Sequence, residues 1–155
     1  MMHMIHNQIP KQHDNIHGHV LVIGAGFIGQ GVIRALSHHH DVRITACDIN
    51  ERNLSVVDST SKSKVVCELA DCSNYDNVHQ LIHAYKPTHI INTAAFKHVR
   101  FAHTVLSQQN MLRNNVNIIQ NIIRCTDSMP WVRITHTSTD KSVYPTTYMG
   151  WTKLL

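Results

Sequence analysis

The chain has 155 residues, 43% hydrophobic and 15% charged, which suits one domain with a single core. Its 14 Lys and Arg against 10 Asp and Glu give a formal charge of +4, but the basic residues stand singly, so no nucleic-acid partner is expected. No apolar stretch approaches ~20 residues, which excludes an ordinary membrane span. Four cysteines without a CxxC pair argue against a disulfide framework and for a reducing, cytoplasmic setting.

Residues 1–19 hold His3, His6, His13, His17 and His19 beside Pro10 and several amides, with no hydrophobic period. They read as a flexible tail rather than a metal site or a secretory signal, and no metal is expected. VLVIG at 20–24 is a first buried strand. Phe27, Ile28, Val32, Ile33 and Leu36 then recur at helical spacing. VRITACD at 42–48 is a second strand, and an irregular or helical stretch leads to a third at 64–70. Residues 74–85 carry Val78, Leu81, Ile82 and Tyr85 on one helical face and stop before Pro87; strand four follows at 88–95. A long helix spans 104–125, with Val105, Leu112, Val116, Ile119 and Ile123 as its stripe. Strand five covers 131–138, and after a proline-containing loop another helix opens near Thr146. The alternation predicts an α/β, Rossmann-type doubly wound parallel sheet over residues 20–155, about five strands in order 3-2-1-4-5, flanked by helices.

Between strand one and its helix lies Gly24-Ala25-Gly26-Phe27-Ile28-Gly29. In a GxGxxG turn the first glycine permits the tight bend, and the second lets a pyrophosphate approach the backbone. The third allows close helix packing, and N–H groups at the helix start face the anion. Asp48 lies 24 residues beyond Gly24, at the end of strand two. A carboxylate there can accept both ribose hydroxyls and would repel a 2′-phosphate, so NAD is expected and NADP less so. Asp71 after strand three either meets the adenine edge or only turns into the next helix, with Ser73 or Asn74 as cap. Ala94 and Ala95 after strand four are small enough for backbone to pass close to a cofactor.

Ser138, Thr139, Asp140, Lys141 and Lys153 fall at or beyond the carboxyl end of strand five, where open α/β sheets place ligands. Hydroxyls can orient a sugar, Asp and Lys can move protons, and Lys153 can hold a nicotinamide ribose. The alternative is a hydrophilic connecting loop.

Three segments, A-A-F-K-H-V at 94–99, Asn115-Val116, and S-T-D-K-S-V-Y-P-T at 138–146, are followed by Met149-Gly150 and Thr152-Lys153. In that order they resemble the extended short-chain dehydrogenase/reductases, specifically the nucleotide-sugar 4,6-dehydratases of polysaccharide biosynthesis. The resemblance implies transient hydride transfer from sugar C4 to bound NAD, loss of water across C5 and C6, and hydride return at C6. It implies Thr139 at the sugar O4, Asp140 and Lys141 as the acid–base pair, and Lys153 at the nicotinamide ribose. Asn115 would support the active-site loop, and Lys97 would face the cleft. Many relatives place Tyr four residues before that lysine; Met149 stands there, as in one branch of the family, and a thioether does not carry the C4 proton.

Extended members of that family are about twice this long, so the carboxyl-terminal substrate domain is expected to be missing. The expected function is the NAD-binding half of a UDP-N-acetylglucosamine-type 4,6-dehydratase, taking a UDP-sugar if completed by that domain. The resemblance also implies a homodimer through the fourth and fifth helices, the long one over 104–125 and the one near Thr146. The alternatives are a non-enzymatic NAD-binding regulatory module, or an interaction protein using Phe101, Trp151, Leu154 and Leu155.

Overall fold

The computed structural model of the chain describes residues 16–61, 65–96 and 104–155. The tail positions His3, His6 and His13, together with Lys97 and Phe101, lie outside the described residues. In chain order the elements are β1 (Gly18–Ile23), α1 (Phe27–Leu36), β2 (Val42–Asp48), α2 (Glu51–Ser61), β3 (Val65–Leu69) and α3 (Tyr75–Tyr85). They continue with β4 (His89–Asn92), α4 (Val105–Leu112), a π-helical turn (Arg113–Asn117), α5 (Ile118–Thr126), β5 (Arg133–His136), a 3-10 turn (Asp140–Ser142) and α6 (Tyr148–Leu154). The sheet has the order β3-β2-β1-β4-β5, and every pairing is parallel.

The unbroken apolar run of β1 follows from its central place, because alternate side chains meet helices on opposite faces. Val20 and Val22 pack with Ile33 and Leu36 of α1 and Leu54 and Val57 of α2. Leu21 and Ile23 pack with Val78 and Ile82 of α3 and Ile118 and Ile122 of α5. The undecided stretch before β3 is a helix, α2, held by Leu54 and Val57. Among the described residues no helix is long and apolar enough to cross a membrane.

Several boundaries differ from the sequence expectation for physical reasons. β1 starts at Gly18, so His19 is a buried strand residue and not part of a tail; its Nε2 lies 2.9 Å from Thr45 Oγ1, and its ring meets Tyr85 edge-on. That partner makes the burial of a polar ring tolerable. β4 is only four residues long because the Thr93 and Ala94 N–H groups both turn to the Ile23 carbonyl, at 2.8 and 3.1 Å. β5 starts at Arg133 after a turn in which the Val132 N–H bonds the Met129 carbonyl at 3.0 Å. Phe27 and Ile28 are not core residues of α1. They are 84% and 57% exposed, and the buried face is Gly29, Ile33 and Leu36. The helix expected over 104–125 is interrupted by its π turn.

Candidate cofactor site

The carboxyl ends of the strands border a cleft of about 770 Å³. Its walls are the glycine turn after β1, Asp48 and Asn50 after β2, Asp71 after β3, Thr93 to Phe96 after β4, and Thr137 and Ser138 after β5. It spans the point between β1 and β4 where the strand order reverses, the usual ligand crevice of such sheets.

The three glycines have different reasons to be glycine. Gly24 has φ +92°, and a Cβ there would stand 2.5 Å from the Ala94 nitrogen. A Cβ on Gly29 would stand 1.9 Å from the Gly24 carbonyl oxygen. Gly26 meets no protein atom within 4 Å of its would-be Cβ. The protein's own packing therefore demands the first and third glycines, while the second keeps clear the space before α1. Gly26 caps α1 without a side-chain hydrogen bond, so the helix start presents its amides toward that space.

Asp48 braces this turn from β2. One carboxylate oxygen accepts the Ala25 N–H at 2.6 Å and the Asn53 amide at 3.2 Å; the other accepts the Asn50 N–H at 2.8 Å. Asp71 lines the cleft and also shapes its loop, since its Oδ1 accepts the Ser73 N–H at 2.8 Å. The cap of α3 is Asn74, which accepts the Asp76 N–H at 2.9 Å. Ala94 and Ala95 border the cleft, and Thr93 donates from Oγ1 to the Gly24 carbonyl at 2.6 Å.

Behind the cleft wall formed by Asn114, the buried Asn115 occupies the π turn, a helix irregularity that recurs at functional sites. Its Oδ1 accepts the Phe96 N–H at 2.8 Å, and its Nδ2 donates to Thr152 Oγ1 at 2.9 Å and to the Phe96 carbonyl at 3.3 Å. One side chain thus ties the loop after β4 to α6. Lys153 donates from Nζ to the Thr137 carbonyl at 3.2 Å, and burial pushes its pKa below the ordinary lysine range. Met149 is buried. Thr139 donates to Asp140 Oδ1 at 3.0 Å, while Asp140 and Lys141 are exposed on the 3-10 turn. The structure therefore gathers Gly24, Gly26, Phe27, Ile28, Gly29, Asp48, Asp71, Ala94 and Ala95 around one cleft. Asn115, Thr139, Asp140, Lys141, Met149 and Lys153 are not among its walls.

Three features of the site lie outside the sequence expectation. Asn50 and Asn53 join Asp48 at the β2 end. Cys47 and Cys72 bring their sulfurs to 3.5 Å on the cleft floor, and that contact, with burial, pushes the Cys72 thiol far up, so it stays protonated. His136 meets Asn92 at the ends of β5 and β4. Asn92 and Thr93 were visible as polar residues closing an apolar run, which is where a signal could have been found. Among the described residues no cluster of His, Cys, Asp and Glu could hold a metal.

A glycine turn on the central strand, an acid closing β2 and a cleft at the strand-order reversal define a Rossmann-type doubly wound domain. Residues 20–155 match the family described as polysaccharide biosynthesis protein, and the chain belongs to that family. It is 29% identical over 133 residues to an uncharacterized membrane protein, MJ1061, of Methanocaldococcus jannaschii, covering 85% of this chain and 39% of that protein. It is 28% identical over 141 residues to the capsular polysaccharide biosynthesis protein CapD of Staphylococcus aureus, covering 86% of this chain and 23% of that one. The chain thus spans less than half the length of either relative. The UDP-glucose-4-epimerase of Stenotrophomonas maltophila, solved with bound NAD and formylated UDP-arabinopyranose, has the same fold. The TM-score is 0.75 at 18% identity, over 89% of this chain and 46% of that one.

Proposed function

We propose that this chain is the NAD-binding half of a nucleotide-sugar 4,6-dehydratase. The observation that carries the cofactor reading is Gly26: a glycine whose missing side chain serves no packing need, at the uncapped start of α1, in a cleft faced by Asp48. A diphosphate would lie at the amides of Gly26, Phe27 and Ile28. Asp48 would receive the adenosine ribose and disfavour the 2′-phosphate of NADP, with Asp71 toward the adenine. Ala94 and Ala95 leave room for the backbone to approach, and Lys153 would hold the nicotinamide ribose. When bound, the dinucleotide supplies a hydride acceptor and donor.

The substrate reading rests on the STDK and MGxTK segments and on membership of the polysaccharide biosynthesis family. Thr139 would orient a UDP-sugar through its O4, and Asp140 and Lys141 would exchange protons across C5 and C6. Asn115 would keep the Phe96 loop and α6 in register, and Lys97 would face the same cleft. A homodimer through the long helix and α6 belongs to this reading. The exposure of Asp140 and Lys141 favours a second one, in which the chain binds NAD without turnover, because proton transfer needs positioned groups shielded from water.

Calorimetry of the full chain with NAD, NADP and a UDP-sugar tests both. NAD binding tighter than NADP supports the cofactor reading, and sugar-nucleotide binding that Lys141→Ala weakens supports the dehydratase. NAD binding alone favours the module without turnover, and no heat from any of the three sinks both.

A further inference from the structure

Asn92 and His136 are paired residues at the ends of β4 and β5. Their side chains meet, Asn92 Nδ2 lying 3.0 Å from His136 Nδ1. The sense of this bond follows from its neighbour. Asn92 Oδ1 accepts the Ala94 N–H at 3.1 Å, so the amide nitrogen faces the ring and has only protons to give. His136 Nδ1 is therefore the acceptor, and the neutral ring carries its proton on Nε2. Asn92 is almost fully buried, so its amide depends on these partners.

The ring links the border of the cleft to α6. On one side Ala94 lines the cleft and packs directly under the Gly24 turn. On the other, Lys153 holds the carbonyl of Thr137, the residue after His136, and its charge bears on the ring. The Thr137 N–H closes the loop by donating to the Asn92 carbonyl at 3.0 Å.

We propose that His136 is a positioning residue of the cofactor site: its neutral form holds Asn92 and the Ala94 amide in place, and its protonation loosens dinucleotide binding. This rests on the reading of the cleft as a dinucleotide site. A proton on Nδ1 sets a donor against a donor. Either the contact opens, or the Asn92 amide turns over and sets its nitrogen against the Ala94 N–H. In either case the Asn92 amide is no longer braced, the Ala94 N–H leans on its other acceptor, the Ile23 carbonyl at 3.1 Å, and Ala94 is held less firmly under the Gly24 turn. The imidazolium also repels the Lys153 ammonium from the Thr137 carbonyl. Among the described residues Lys153, on α6, is the charged group that bears on the ring; Asn92 and Thr137 are uncharged, and Arg133 on the same strand bears on His89 instead. Burial and Lys153 hold the ring below the ordinary histidine range, which puts the change on the acid side.

The test is calorimetry of the full chain with NAD from about pH 7.5 to 5.0, beside nitrogen NMR of the histidine rings. The expected weakening on the acid side is about tenfold, the scale of one lost hydrogen bond. His136→Gln, whose side chain does not titrate, should flatten that slope, whereas His83→Gln, at an exposed position of α3, should keep it. A slope that survives in H136Q overturns the proposal. The wild-type spectra decide independently, even if H136Q fails to fold. An unprotonated Nδ1 near neutral pH, with the Ala94 amide signal following the ring's titration, supports the relay. A proton on Nδ1 there, or an indifferent Ala94, overturns it. Coupled titration of His136 and Ala94 without NAD binding at any pH would count for the relay and against the cofactor reading.

Discussion

On the β1–α1–β2 side of the cleft the chain supplies its own scaffold, whereas on the β5–α6 side it leaves much of one exposed. Val20, Leu21 and Val22 of β1 have no exposed surface, and Gly24, Gly29 and Asp48 are each fixed by contacts within the domain. In β5, by contrast, Ile134 is 37% exposed, and Trp131, Trp151 and Leu154 nearby in sequence are more than half exposed. The walls of the cleft follow the same division, reaching Ser138 but not the 3-10 turn behind it. The end proposed for the dinucleotide can thus be preorganised by this domain alone, while the groups proposed for proton transfer are left exposed by it. Loss of affinity and loss of fold should separate along this line.

The sharpest way to break the comparison is within the glycine turn. Gly29→Ala drives a Cβ into the Gly24 carbonyl, and overpacking against backbone should cost about 3 kcal/mol in urea unfolding. Gly26→Ala meets open space, so its unfolding midpoint should stay at the wild-type value while NAD affinity falls about tenfold, because the new methyl occupies the space before the helix amides. Equal losses of stability in the two variants would mean that the space in front of Gly26 is not a ligand's.

On the other side, Asn115→Ala removes one partner each of the half-buried Phe96 N–H and of the buried Thr152 hydroxyl, and should cost about 2 kcal/mol. Hydrogen exchange should show the loosening confined to α6 and the loop after β4, with β1 and β2 still protected. Protection lost evenly across the sheet would contradict two separable halves. Asp48→Asn acts on affinity and on fold together, because an amide nitrogen replaces one of the two oxygens that accept N–H groups of the turn and of the start of α2. It should weaken NAD about tenfold in calorimetry and narrow the gap to NADP, because the repelling charge is gone.

The well-packed side was also the more legible one. A central strand buried on both faces must be apolar throughout, and a phosphate turn needs glycines at fixed spacing, so Gly24 to Gly29 and Asp48 stood out as residue types. Phe27 and Ile28 misled for the same reason: their period matched the helix, but the first turn of α1 projects over the cleft and not onto the sheet. The π turn was invisible, and the expected stripe was wrong with it: Val105 and Ile123 are 71% and 53% exposed, and Met111, Ile118 and Ile122 are buried in their place. The meetings of Cys47 with Cys72 and of Asn92 with His136 join residues 25 and 44 positions apart, and only strand order and register bring them together. His19 was assigned to the tail because a lone polar ring says nothing of the Thr45 hydroxyl waiting across the β1–β2 pair.

The smallest expected effect is on acid stability, and it sharpens the comparison most finely. His19, His89 and His136 are each held below the ordinary histidine range, by burial first and then by the charges of Arg43, Arg133 and Lys153 respectively. The unfolded chain takes up these protons near pH 6.5, while the folded chain takes them up only at lower pH. The unfolded state therefore binds more protons across that window, and stability must rise with pH through it. The contribution is complete above about pH 6.5 and is lost as pH falls toward the folded values. Urea midpoints should accordingly fall between about pH 7 and pH 5. His19 lies at the amino end of β1, away from the cleft, so His19→Gln should flatten part of the stability slope without touching the pH dependence of NAD binding. His136→Gln should flatten both. A stability curve level across the window would show that the three rings are not kept neutral, and identical effects of the two substitutions on binding would place the acid response outside the β4–β5 junction.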